Sequence, residues 1–270
     1  MSEGQGKWMI RKYESGGVIE KSKFWVPEQT KRRSPKMAAS SNRKRDENER
    51  EAIKQLARLV NCNFHHGDLW LTLGYSDKGF KALCEKVNAD GIADLDDIKK
   101  VADKELELFL RRMRREAQIL GIEFKYIALT SNMDGKTGEI ARPHHHIIMP
   151  RASYELCIKH WHYGNVDYQL LRDQDDYTPL ATYLVKQVRR AANESRWKPS
   201  RNLKKPVITE EVTHNKGILH APAGARVLDS GHYDEESGNH YIRYIPKPKA
   251  EKHGGHHDLP RLKVTSGMCV

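Results

Sequence analysis

The stretch Arg142-Pro-His-His-His-Ile-Ile-Met-Pro150 puts three consecutive histidines at the head of an apolar run bracketed by prolines. The run is too short for a buried helix and reads as a strand from Arg142 to Met149. Side chains alternate across a strand, so His144, His146 and Ile148 share one face while His145, Ile147 and Met149 share the other. Two imidazoles one residue apart on the same face can converge on a single point, a geometry suited to a divalent cation.

Upstream, Glu123–Thr130 has the composition of a second strand. The Asn-Met-Asp-Gly-Lys-Thr-Gly loop between the two carries a turn signal at Asp134-Gly135, which predicts an antiparallel pair. Asp68–Tyr75 reads as a buried strand and Gly164–Leu171 as a further short one. Apolar residues recur at helical spacing from Asp46 to Asn61. They recur again from Asp94 to Leu120 at Ile98, Ala102, Leu106, Phe109, Met113 and Ala117, with Gly121 as the stop. A last helix is expected from about Asp176 to Asn193. Long helices alternating with hairpin-linked strands predict an α+β class, an antiparallel sheet flanked by helices.

Composition sets the surroundings. The chain has 270 residues, 38% apolar and 31% charged, with 47 Lys and Arg against 36 Asp and Glu, a formal charge of +11. Such a balance favours a polyanionic partner. No apolar run is long enough for a membrane span, and no secretory signal is expected, which leaves a cytoplasmic protein and nucleic acid as its partner. Cys62, Cys84, Cys157 and Cys269 lack metal or disulfide spacing and read as reduced thiols. Residues 1–45, with the clusters Lys31-Arg32-Arg33 and Arg43-Lys44-Arg45, read as a basic arm, although Trp8–Tyr13 and Val18–Val26 can pair as a hairpin around Gly16-Gly17. Residues 46–205 hold the expected domain. Residues 206–270, rich in Pro, Gly, Lys and His, read as a loosely packed extension with one strand-like piece at Tyr241–Ile245.

In the last helix Tyr177, Leu180, Leu184, Val188 and Ala191 form an apolar stripe, and Tyr183, Lys186 and Arg190 lie beside it. A phenol with a reference pKa near ~10 acts as a nucleophile only if a neighbour takes its proton or cations stabilise its anion. The competing reading makes Tyr183 a core-edge aromatic and Lys186 a snorkelling lysine. Arg111, Arg112, Arg114 and Arg115 face away from the apolar side of the long helix, toward either phosphates or water.

Three features occur in order: the Leu69–Tyr75 strand, His144-His145-His146 followed by apolar residues, and Tyr183-x-x-Lys186 on a helix. Over roughly residues 46–205 the chain thereby resembles the HUH endonucleases, specifically the single-tyrosine rolling-circle replication initiators of plasmids, phages and integrative elements. The resemblance implies a sheet of ferredoxin-like or RNA-recognition-like topology with the histidine strand central. It implies that His144 and His146 bind Mg²⁺ or Mn²⁺ against a scissile phosphate, that Tyr183 attacks in line to leave a 5′-phosphotyrosine, and that Lys186 assists. Arg111, Arg112, Arg115, Arg142 and Arg190 would track single-stranded or origin DNA, while a host helicase and polymerase supply unwinding and synthesis. Relatives carry an acidic or amide third ligand upstream of the histidines, for which Asn132, Asp134 and Glu139 are candidates. An oxygen donor is also expected chemically, since two imidazoles alone suit Mg²⁺ poorly. A second nucleophile one turn on is replaced by Gln187. Two other readings remain: a non-catalytic nucleic-acid-binding protein, and a relaxase or transposase of the same superfamily.

Overall fold

The computed structural model describes residues 6–28, 42–87, 94–134, 137–188, 195–214, 217–231 and 238–248. Along the chain the elements are β1 (Gly6–Ser15), β2 (Val18–Pro27), α1 (Asn42–Asn63), β3 (Leu69–Leu73), α2 (Asp77–Val87), α3 (Leu95–Leu120), β4 (Ile127–Met133), β5 (Ile140–Met149), α4 (Tyr154–His160), β6 (Val166–Leu170), α5 (Thr178–Lys186), β7 (Lys198–Pro199), β8 (Val207–Thr213), β9 (Arg226–Asp229) and β10 (His240–Ile245). They build two antiparallel five-stranded sheets, ordered β6-β3-β5-β4-β7 and β8-β1-β2-β10-β9. The class is α+β.

The histidine strand β5 is central in the first sheet. On one face Leu71, Leu73, Ala128, Ile147 and Met149 pack against Leu106, Phe109 and Met113 of α3 and Leu156 of α4. Ile127, Leu129 and Ile148 point the other way, onto Leu56, Val60 and Phe64 of α1 and Ala181, Leu184 and Val185 of α5. The long helix α3 forms as its spacing predicts. Asp94 caps its first turn, and Gly121 closes it in the left-handed region at φ 67°, where a side chain other than glycine is strained.

The terminal segments depart from expectation. β1 and β2 pair residue for residue, Gly6 opposite Pro27 through Ser15 opposite Val18, so the hairpin around Gly16-Gly17 forms. It is not part of an arm: β8 and β10, from the other end of the chain, complete its sheet. The expected arm over 1–45 and loose extension from 206 are therefore corrected where they are described. Their strands are polar on average because they bury few residues, and the partners of those residues lie far away in sequence. This second sheet sits on α1, where Arg58 forms a buried pair with Glu20 at 2.7 Å and stacks over Tyr13 at 3.7 Å. Gly16 touches the end of α1 so closely that a Cβ would lie 2.3 Å from the Asn61 carbonyl oxygen.

The short helix α5 ends at Lys186 rather than near Asn193, and residues 189–194, including the proposed DNA contact Arg190, lie outside the described residues. The clusters at Lys31 and in the His253–His257 tail lie outside them too. Among the described residues no helix is long and apolar enough to cross a membrane.

Candidate active site

Strand alternation divides the triplet as its sequence predicts. His144 and His146 face α5, with ring centroids 4.9 Å apart. His145 faces the opposite core and is fully buried. Thr130 Oγ1 donates to Asp103 Oδ1 at 2.5 Å, so its contact with His145 Nδ1 at 2.9 Å is received from the ring N–H. Tyr75 then donates its hydroxyl to His145 Nε2 at 2.8 Å. This tautomer is neutral, and burial first, then the neighbouring imidazoles, push the His145 pKa down to about 3.

His146 is built differently. Thr72, opposite it on β3, meets Nδ1 at 3.2 Å, while Nε2 is buried without a hydrogen-bond partner. Burial, followed by His144, lowers the His146 pKa to about 3. His144 contacts the Arg142 carbonyl through Nδ1 at 3.2 Å, and burial lowers its pKa as well. Both imidazoles thus present neutral rings at physiological pH, the form that binds metal. A buried ring nitrogen left unpaired is costly in a finished core. It stands beside a second neutral imidazole with no hydrogen-bond partner among the described residues.

Tyr183 stands over this pair on α5. Its ring lies 5.9 Å from His146 and 5.3 Å edge-on from Trp70, and it is 37% exposed. Ala181, Leu184 and Val185 anchor the helix, with Tyr177 at its start, so the buried stripe is rotated slightly from the one its spacing predicts and Tyr183 is turned to the open side. Burial and then the Asp134 carboxylate raise the Tyr183 pKa above its ordinary value. Lys186, the cation expected to assist, is exposed one turn on. Gln187 is buried, and its carbonyl accepts from Ser131 Oγ at 2.7 Å, pinning the end of α5 to β4.

The third-ligand candidates separate clearly. Asn132 turns to the other side of the sheet, where its Nδ2 donates to Asp96 Oδ1 at 3.4 Å. Alternation sets that phase, because Thr130 pairs with His145 and Ser131 with His144. Glu139 is exposed, and its main chain closes the hairpin with Asp134 at 2.8 Å. Asp134 is the carboxylate whose charge acts on both His144 and Tyr183. Among the described residues no three His, Cys, Asp or Glu side chains form a ready-made metal cluster.

The other candidates are scattered. Arg111, Arg112 and Arg115 belong to α3, on the sheet face away from Tyr183, and Arg112 acts on the buried Glu105. Arg142 is tied to Asp77 at 2.5 Å and lies over Phe80. His66 contacts the Leu171 carbonyl, beside the end of β3 that pairs with Met149, so the His65-His66 pair is remote from His144. Tyr163 donates to Glu105, and Tyr177 donates to the Arg172 carbonyl. Trp161 is buried and donates to the Gly74 carbonyl, so it is a core residue. Trp70 is the site residue that sequence reasoning missed. Its place opposite Ile148 puts it on the histidine face, a phase visible only once the strand register is known.

Comparison of the chain with family models, curated proteins and solved structures returns no match.

Proposed function

We propose that the protein is a rolling-circle replication initiator: a metal-dependent endonuclease and strand transferase that joins Tyr183 to the 5′ end of a nicked DNA strand. One observation carries the reading, the juxtaposition of the only phenol on α5 facing the histidine pair with the vacant Nε2 of His146, ring to ring at 5.9 Å. Strand order supports it. β3, β4, β5 and β6 follow one another as strand, helices, strand, strand, helix, strand and lie in space as β6-β3-β5-β4, the interleaved arrangement of a ferredoxin-like sheet.

His144 and His146 fit a divalent cation, Mg²⁺ or Mn²⁺, with Asp134 as the oxygen donor nearest in charge to both histidine and tyrosine. A bound cation would neutralise this carboxylate, which would then no longer disfavour the Tyr183 anion. When bound, the cation supplies Lewis acidity to the non-bridging oxygens of the phosphate. The residues themselves do the rest. The rigid strand β5 fixes the imidazoles, and α5 presents the phenol. The tyrosine oxygen displaces the 3′ oxygen of the scissile bond, which leaves as a hydroxyl, so the phosphodiester energy is retained for rejoining.

The test is incubation of the full chain with circular single-stranded DNA and Mn²⁺, read by denaturing electrophoresis. The expected result is a covalent adduct and linear DNA from the wild type. Tyr183→Phe should form no adduct while binding DNA within about twofold of wild type. His146→Ala should lose cleavage by at least about a hundredfold. A Tyr183→Phe protein that still forms the adduct removes the nucleophile assignment, and binding without metal-dependent cleavage across substrates makes the chain a nucleic-acid-binding protein instead.

A further inference from the structure

Beside Tyr183, the open side of the histidine-bearing sheet carries a groove of about 260 Å³ that the cleavage chemistry does not use. Its floor is Trp70 on β3 and Gln169, the residue directly opposite on the edge strand β6. Leu180 of α5 forms the far wall, Arg172 and Gln174 stand at the rim, and Tyr183 closes one end.

The lining combines an aromatic plane, two carboxamides and one guanidinium, with no carboxylate. A carboxamide offers both a donor and an acceptor, the pair needed to read the edge of a heterocycle. An indole face holds a planar π-system regardless of its sequence, and a guanidinium at the mouth suits a phosphate. A base inside a duplex shows only its edges, so a wall made for a face requires an unpaired nucleotide. We propose that this groove seats one unpaired base of the DNA strand whose phosphate meets Tyr183, stacked on Trp70 and read by Gln169. The inference rests on the nicking reading for the identity of its occupant. It adds a device that fixes where along the strand the phosphate stops.

Non-covalent binding tests it separately from cleavage. The probes are a labelled oligothymidylate of about twelve nucleotides and a strand of equal length in which every base is replaced by an abasic residue. Both are titrated with the full chain in EDTA and read by fluorescence anisotropy. Trp70→Leu should weaken oligothymidylate binding about five- to a hundredfold and leave the abasic strand within about twofold. Gln169→Ala should act in the same direction to a smaller extent. Gln169 is exposed on an edge strand, so its variant folds and decides the matter if the Trp70 substitution disturbs the core. Equal weakening of both strands, or of neither, overturns the groove assignment. Base-dependent loss without any Tyr183 adduct keeps the groove and discards nicking, whereas an adduct accompanied by base-independent loss does the reverse.

Discussion

His145 receives Tyr75 on one ring nitrogen and gives the other to Thr130, which passes the contact on to Asp103. It is a structural histidine locked neutral, and that has a sign in pH. In the unfolded chain a histidine takes up a proton near pH ~6.5, whereas in the fold His145 resists protonation down to about 3. The unfolded state therefore binds more protons between those values. Stability is fully present above the unfolded pKa and falls as pH drops toward 3, by about 1.4 kcal/mol per pH unit for each such group. Urea unfolding in EDTA, followed from pH 7 to pH 4, should show His145→Leu with a slope shallower by about one proton than the wild type, alongside its lower absolute stability. An unchanged slope would mean that His145 is protonated in the fold. The split of the triplet was legible, because alternation needs nothing beyond the strand assignment. The third ligand was not: Ser131 pairs with His144, so alternation puts Asn132 on the His145 face, and that follows only from a cross-strand register that residue patterns do not announce.

Helix α5 has nine residues, too few to hold itself in water, so the presentation of Tyr183 depends on what grips its ends. Asp176 accepts from the Thr178 amide at 3.1 Å and hydroxyl at 2.7 Å, and Asn61 of α1 donates to the same carboxylate. From the second sheet, Arg243 of β10 donates to Thr178 Oγ1 at 2.5 Å and lies 3.6 Å from Asp176. Arg243→Met should cost about 1.5–3 kcal/mol, the range for a hydrogen bond to a charged group. It should also speed hydrogen exchange of the 181–186 amides relative to those of α3. Equal protection in variant and wild type would show that α5 is held by its apolar face alone. At this scale the sequence was informative for α3, whose spacing and Gly121 stop are local signals. It was silent on α2. Gly79 in the first turn argues against a helix by propensity, yet a Cβ there would lie 2.0 Å from the Tyr163 carbonyl oxygen. Close packing demands the glycine, and packing is not written locally.

Across the whole molecule, the ends of the chain meet in one sheet, β1 and β2 paired with β8 and β10. That sheet rests on α1, the helix whose other side supports the histidine face. Composition could not reveal this: strands that bury a mixture of Ser15, Glu20 and Lys23 look like a solvated arm until their partners are known. One link from this sheet to α1 runs through Glu20, held by Arg58 at 2.7 Å, with Tyr241 donating to it at 3.2 Å. Both members of the ion pair are buried, with side-chain exposures of 7% and 3%. Such a pair need not stabilise the fold relative to apolar residues, but removing one partner strands the other charge, at a cost of about 3–5 kcal/mol. Glu20→Ala should therefore lower the melting temperature of the entire protein in a single calorimetric transition, including the signal of the histidine-bearing half. Replacing both residues together, Glu20→Leu with Arg58→Met, should recover most of the loss. Two separate transitions, with only the terminal sheet melting early, would show that α1 does not couple the halves and that the site of Tyr183 stands on its own sheet alone.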